Sequence, residues 1–322
     1  MKVQGNGEAA NALTCLARLG MRARLMAKIA DDIPGKRILE ELTADGVDTS
    51  FLMVAQDRQT PFSCIVVDKS MRTRTCIFTP GFPFMEPADI SQMDLKSALE
   101  GARFVYFDAR HTDTAIVVAQ EAAAQNVPFL LDAEKKRPGL DGLLNLSDYV
   151  ICSAKFPQAW TEAPSVPSAL LAILLRLPKL KFAIVTLGEH GCLMLERSSD
   201  EKPPTGEEDA DSLLRSLEQE KDDSVARPMC ISSKVVKLKA NGIGTLTGRL
   251  FVCTAERIPP SELVDTTGAG DAFIGAILYA LCMNMAPENM LPFAATVAAA
   301  GCKELGARTG LPRQTDGVRL RF

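Results

Sequence analysis

Residues 263–282 read LVDTTGAGDAFIGAILYALC, and the polar first half of that stretch is poor material for a hydrophobic core. A strand arriving at Val264 and an apolar helix leaving from Ala272 would put Gly268, Ala269 and Gly270 at a helix N-terminus. Amides there have no intrahelical partner, and the helix dipole adds roughly half a positive charge. Small residues let an anion come close to those amides, so the turn suits a phosphate or an oxyanion. Asp271 places a second anion beside this cradle, which is useful where a proton must be taken from an attacking hydroxyl. Amides that hold charge on a moving phosphoryl group, with Asp271 as base, make half of a phosphoryl-transfer site. The same pattern also suits an Asp271 that only caps the helix and complements its dipole.

The rest of the chain narrows the chemistry. No G-x-x-x-x-G-K-[ST] is present, and no G-x-G-x-x-G opens a helix after a strand. With only two histidines, His111 and His190, no Ser-His-Asp triad is evident. Nine cysteines without a C-x-x-C pair argue against zinc and for a reduced, intracellular setting. The formal charge of −4 supplies no basic field for nucleic acid or for an anionic membrane. No apolar run has membrane-spanning length, and the N-terminus reads as neither a signal peptide nor a transit sequence.

The elements that must position these residues follow from the apolar pattern. Strands are expected at 25–29, 104–108, 129–132, 149–152 and 184–187, with helices at 10–19, 36–45, 112–125 and 168–176. Such alternation predicts an α/β fold, a parallel sheet covered on both faces, with ligands at the carboxyl ends of its strands. Residues 47–79 break the rhythm with three strand-like runs, SFLMV, FSCIVVD and TRTCIFT, and no helix between them. They read as a small antiparallel β lid, or as an extension of the sheet edge, beside a core of 1–46 and 80–322. Residues 198–223 carry ten acidic against three basic residues and read as a solvated or disordered insertion, in which SLLRSLE could form a short helix.

At this point the sequence resembles the ribokinase-like, or PfkB, sugar kinases. DTTGAGDAFIGAIL is similar to their C-terminal signature, GNGEAANALTCLARLG at 5–20 to their sugar-binding turn and helix, and KIADDIPG carries Asp31, Asp32 and Gly35 at fitting places. The resemblance covers nearly the whole chain and implies a three-layer parallel-sheet sandwich with a small β lid. It also implies ATP and Mg2+ as cofactors and, through Asp265 and Thr267, a bound potassium ion. By the same resemblance Asp271 is the catalytic base, and Gly268, Ala269 and Gly270 form the anion hole. TLGEHG, with Thr186, Gly188 and Gly191, is similar to the loop that receives ATP, although a plain hairpin turn would use the same glycines. VAAAGCKELGA at 297–307 resembles the helix and turn that flank adenine; its small residues would equally serve close helix packing. Gly7, Asn11 and Asp108 match sugar-binding positions, and Arg110 an arginine that meets nucleotide or phosphate. An Asn11 that caps the following helix, or an Arg110 on the plain surface, would explain those residues as well. DAEKKRPGLDGLL at 132–144 is similar to ketohexokinase-type and plant members, which points to a ketose.

The match departs from the family pattern in three places. The strand and aspartate-bearing loop that precede the sugar-binding turn have no counterpart before residue 5, so a truncated front is expected. GNGEAAN has Asn6 where relatives have glycine, and Glu8 where they have a small, polar or basic residue. The N-x-x-E pattern linked to magnesium is replaced in CSAKFPQAW, with Ser153 and Phe156 at its positions, so magnesium would arrive on ATP. The expected activity is ATP-dependent phosphorylation of a hydroxymethyl group on a fructose- or ribose-like sugar, in the cytoplasm or a plastid, by a homodimer joined through its lids. A catalytically weak kinase-fold binding partner and a nucleoside kinase are the alternatives.

Overall fold

The computed structural model describes residues 7–56, 58–68, 73–81, 84–198, 206–222 and 225–314. In chain order the first elements are α1 (Glu8–Arg18), β1 (Arg24–Ala30), α2 (Ile33–Ala44), β2 (Asp48–Ala55), β3 (Phe62–Asp68), β4 (Thr73–Thr79) and α3 (Gln92–Leu99). There follow β5 (Val105–Phe107), α4 (Thr112–Ala124), β6 (Phe129–Ala133), α5 (Leu140–Leu146), β7 (Tyr149–Cys152), α6 (Phe156–Thr161), α7 (Val166–Arg176), β8 (Phe182–Thr186) and β9 (Cys192–Arg197). The chain continues through β10 (Glu207–Asp209), α8 (Ala210–Gln219), β11 (Cys230–Ser232), β12 (Val236–Ala240), β13 (Gly244–Cys253), α9 (Ala269–Cys282) and α10 (Pro287–Gly301). Two compact units divide it: Met1–Gly101 with Ile258–Met283 and Val297–Phe322, and Ala102–Arg257 with Asn284–Thr296.

In the first unit β1 and β2 pair in parallel, from Met26 opposite Phe51 to Ala30 opposite Ala55. This corrects the expected three-stranded meander, because SFLMV lies in β2, which pairs with β1 and not with the lid. The reason is α2, which supplies the crossover that a parallel pair needs and packs Leu42 and Ile38 with Leu25, Val47 and Leu52. The antiparallel element is therefore the β3–β4 pair, running from Phe62 opposite Thr79 to Asp68 opposite Thr73. KIADDIPG forms the entry to α2. Asp32 is its N-cap and accepts from Gly35 N and from Thr60 N and Oγ1, at 2.8, 2.8 and 2.6 Å. Gly35 is required there, since a Cβ would lie 2.1 Å from Ala30 O. Burial pushes the Asp32 carboxyl up, but the Thr60 and Gly35 hydrogen bonds outweigh it and hold it below the usual carboxylate range.

The second unit holds a nine-stranded sheet in the order β10-β12-β13-β9-β8-β7-β6-β5, with β11 on β13. Strands β5 to β8 are parallel, as expected, so Phe107, Ala133, Cys152 and Thr186 end on one edge. The β9, β11 and β13 half is antiparallel, which the alternation of apolar runs with helices did not anticipate. Its core joins Phe129, Leu131, Val150, Ala183 and Val185 of the strands to Leu143, Leu144, Leu170 and Leu174 of the helices. The acidic insertion is folded over residues 206–222. There β10 pairs with β12 and α8 buries Ala210 and Leu217 in the core, corrected from a solvated or disordered stretch. Asp211 accepts from Ser165 and Ser168 Oγ at 2.9 and 3.1 Å, and α8 is amphipathic, so net composition misjudged a segment whose few apolar residues share one face.

Candidate active site

The expected site residues fall into two groups, one in each unit. In the first unit, α9 begins at Ala269, three residues earlier than the sequence suggested, and Gly268 is its N-cap in the left-handed conformation. Asp271 thus lies inside the first turn and is not the cap. No regular strand reaches Val264 either; Val264 N and Asp265 N both donate to Cys302 O, at 2.9 and 3.1 Å, beyond the end of α10. Asp265 is buried and fastens the turn from both sides, accepting from Thr267 N and Gly306 N at 2.9 Å each.

The two glycines of the turn have different causes. At Gly268, with φ +78, an added Cβ would meet Ala307 at 2.6 Å, so backbone conformation and packing alone demand glycine. At Gly270 an added Cβ would meet nothing within 4 Å, and the residue is exposed. Packing gives no reason for that glycine. Behind the turn, α9 buries Phe273, Ile274, Ile277 and Leu278, at roughly 1.5–3 kcal/mol each. Gly275 lets α1 come close, since a Cβ there would stand 2.5 Å from Ala12 O and 2.7 Å from Cys15 Cβ.

Helix α1 starts at Glu8 after an extended Gly7, whose carbonyl accepts from Asn11 N at 2.8 Å. Asn11 is therefore within the helix and does not cap it. It is 2% exposed, and its Nδ2 donates to Asp271 Oδ2 at 2.8 Å. Sequence reasoning matched Asn11 to a sugar-binding position and did not foresee this link across 260 positions. Cys15, one turn on, donates to Ala272 O at 3.5 Å. Burial pushes its thiol up to about 12; Arg18 opposes that shift and Asp271 adds to it. Arg18 ties the far end of α1 down, bonding Asp45 at 2.9 and 3.0 Å and the carbonyls of Arg308 and Leu311. Residues 297–301 complete α10 and 302–310 form the turn beyond it, matching the expected helix and turn. Asn6 lies outside the described residues.

In the second unit, Asp108 and Arg110 follow β5, and Asp108 Oδ1 accepts from Arg110 N at 3.1 Å. Ala109 and His111, on either side of Arg110, are left-handed at φ 54 and 50. Such strain costs of order 1–3 kcal/mol per residue and persists where the surroundings impose it. Burial pushes the His111 imidazole below its usual range, with Asp108 opposing and Arg110 adding to the shift. Thr186, Gly188 and Gly191 form a tight hairpin between β8 and β9, closed by Leu187 N donating to Gly191 O at 2.8 Å. The Thr186 hydroxyl donates to Cys152 O at 3.3 Å, and Gly191, with φ +85, is pressed against the backbone of Cys253 and Thr254. A Cβ on Gly188 would meet only open space. At the replaced N-x-x-E positions, Ser153 Oγ donates to Glu134 O at 2.6 Å and Phe156 is buried in the core.

Among the described residues no helix is long and apolar enough to cross a membrane. The chain is 22% identical to mouse ketohexokinase over 324 residues, covering 98% of this chain and 87% of that one. It is 25% identical to a fructokinase of Vibrio alginolyticus over 326 residues, covering 98% and 90%. The structure of Arabidopsis thaliana ribokinase complexed with ribose and ATP superposes with a TM-score of 0.68 at 21% identity, covering 100% of this chain and 89% of that one. Adenosine kinase from Sinorhizobium meliloti gives 0.71 at 20% identity, covering 98% and 82%. These structures share the ribokinase-like α/β fold with this chain. The family profile described as pfkB family carbohydrate kinase matches residues 2–212 and 205–314. With the signature turn, the fold and the profile in agreement over nearly the whole length, the chain belongs to the pfkB family of carbohydrate kinases.

Proposed function

We propose that this protein transfers the γ-phosphoryl group of ATP to a hydroxymethyl group of a fructose- or ribose-like sugar, with Asp271 as general base. The observation that carries the reading is the first turn of α9. A half-buried carboxylate follows an exposed glycine, Gly270, at which an added Cβ would meet nothing within 4 Å. Asp271 takes the proton of the attacking hydroxyl as the oxygen–phosphorus bond forms. The amides of Gly268, Ala269 and Gly270 stabilise the charge that gathers on the phosphoryl oxygens. By the family resemblance, Gly7 and Asn11 of the first unit and Asp108 of the second are assigned to the sugar, and Arg110, Thr186, Gly188 and Gly191 of the second to ATP. The strain beside Arg110 and the open space at Gly188 support those roles. Closure of the β3–β4 lid excludes water and prevents idle hydrolysis.

Mg2+ would arrive with the nucleotide and would supply charge neutralisation on its phosphates. Among the described residues no three acidic, histidine or cysteine side chains gather to form a cage of their own. Asp265 and Thr267 suit a potassium ion: Thr267 Oγ1 is buried without a hydrogen-bond partner among the described residues. The exposed apolar side chains Phe62, Val66, Ile77 and Phe78 of β3 and β4 support pairing of two copies through the lid. The described cysteines are free thiols, which suits a reducing compartment such as the cytoplasm.

The test is Asp271→Asn, assayed by ADP release with a panel of ketoses, pentoses and nucleosides. ATP binding by calorimetry is expected to persist while turnover falls ~10²–10⁴-fold, the usual worth of a general base. Unchanged acceptor-dependent ADP release in that variant would refute the assignment. ATP binding without stimulation by any acceptor in the wild-type protein would establish the non-catalytic alternative.

A further inference from the structure

We infer that the second unit carries a separate site for a small organic phosphate monoester, in a cleft beside α5 and the C-terminal ends of α6 and α7. The cleft holds about 720 Å3, and Lys136, Arg137, Asp141, Trp160 and Arg176 are among the residues that line it. None of these five is assigned above to the sugar or to ATP. Three are cations and one is a carboxylate. Asp141 is already engaged, since Trp160 Nε1 donates to its Oδ1 at 2.8 Å. A surplus of two positive charges matches a phosphate monoester, which carries roughly −1.5 to −2 at neutral pH. The volume lies in the range of small-molecule sites, roughly 300–1,000 Å3, and leaves room for an organic group beside the phosphate.

The donors are held in place before any ligand arrives. Arg137 Nη2 donates to Glu134 Oε2 at 3.0 Å, while Arg137 Nε is buried without a hydrogen-bond partner among the described residues. A buried donor without an acceptor is costly, and an oxygen of an arriving anion removes that cost. Lys136 is exposed and joins no ion pair among the described residues. The loop that carries both ends at a left-handed Gly139, and Thr112 Oγ1 donates to Pro138 O at 2.8 Å. Arg176 donates to the carbonyls of Trp160 and Thr161 at 3.2 and 2.8 Å and lies over the indole, 5.3 Å from its centroid. Phe156 stacks on the same ring. Cations fixed in this way lose little freedom on binding, and the arginine fork suits phosphate oxygens.

Trp160 is the sole tryptophan of the chain, so its fluorescence reports on this cleft. The experiment titrates the protein with fructose 1-phosphate, AMP and inorganic phosphate while following Trp160 emission. Each titration is repeated in Lys136→Ala, in the Lys136→Ala/Arg137→Ala double variant and in Asp271→Asn, with melting curves as the check on folding. A saturable change is expected with at least one of the two esters. Its affinity is expected to fall at least ~10-fold in the double variant and to stay unchanged in Asp271→Asn. Preference for fructose 1-phosphate marks a sugar phosphate as the ligand, and preference for AMP a nucleotide. No saturable change with either ester up to about 10 mM would overturn the inference. So would inorganic phosphate binding as tightly as the better ester, or an affinity that the double variant leaves intact. Loss of the response in Asp271→Asn would also overturn it, by placing the ligand at the transfer site. Should the double variant not fold, Lys136→Ala decides alone, since its exposed position carries no packing and an unchanged affinity there refutes the site. Turnover plays no part in this readout, so the site stands or falls independently of Asp271 as the base.

Discussion

Gly275→Ala probes whether the contact between α1 and α9 sets the geometry of Asp271, the proposed base. The added Cβ would sit 2.5 Å from Ala12 O, 2.7 Å from Cys15 Cβ and 3.1 Å from Cys15 Sγ. The nearest atom is backbone and cannot rotate away. Ordinary contact begins at 3.4 Å, so α1 must retreat by about 0.9 Å or tilt. A retreat of that size at Asn11 would stretch its 2.8 Å bond to Asp271 to roughly 3.7 Å, beyond hydrogen-bonding range. Overpacking costs ~1–3 kcal/mol, while the gain in helix propensity from glycine to alanine returns up to ~1 kcal/mol. The net destabilisation is therefore ~0–2 kcal/mol, a fall in Tm of a few degrees. The effect on rate is expected to be larger, ~10–100-fold in kcat, because the carboxylate loses its fixed partner. Steady-state ADP release on the best acceptor of the panel, beside a melting curve, measures both. A kcat within twofold of wild type would refute the argument that the close approach at Gly275 serves the base.

The second glycine of the turn gives the opposite pattern: Gly270→Ala meets no atom, so it is expected to raise stability by ~0.5–1 kcal/mol. Turnover is expected to fall at least ~10-fold as the methyl group covers the helix amides, and a stabilised variant with full activity would remove the anion from the argument. At the entry to α2, Asp32→Asn keeps an N-cap acceptor and removes only the charge, so it is expected to cost ~0.3–1 kcal/mol near neutral pH, the worth of an anion at a helix N-terminus, read by urea unfolding. Because the folded carboxyl lies below its unfolded value, its contribution is present above pH ~4 and lost as pH falls through the folded pKa. The wild-type and Asp32→Asn curves should then converge in acid, and a constant gap at every pH would show that the hydrogen bonds of Thr60 and Gly35 do not depend on the charge.

Local sequence determined more of this protein than its 22% and 25% identity to the ketohexokinase and fructokinase relatives suggests. The positions of most helices and of the parallel strands β5 to β8 follow from apolar period and punctuating glycines, since propensity and burial act there over neighbouring residues. Gly268, Ala269, Gly270 and Asp271 were legible for the same reason, because a helix N-terminus is built by consecutive residues. Tertiary structure decided what those residues touch. SFLMV has the same pattern in a hairpin or beside β1, and only the packing of α2 chose β1. Residues 206–222 are too acidic for a core by composition, yet Ala210 and Leu217 fall on one face and find one. Asn11 and Asp271 stand 260 positions apart, and no local rule brings an amide to a carboxylate over that distance. The contact exists because Gly275 removes a side chain at the crossing of two helices, where close packing converts the absence of a few atoms into the placement of a functional group.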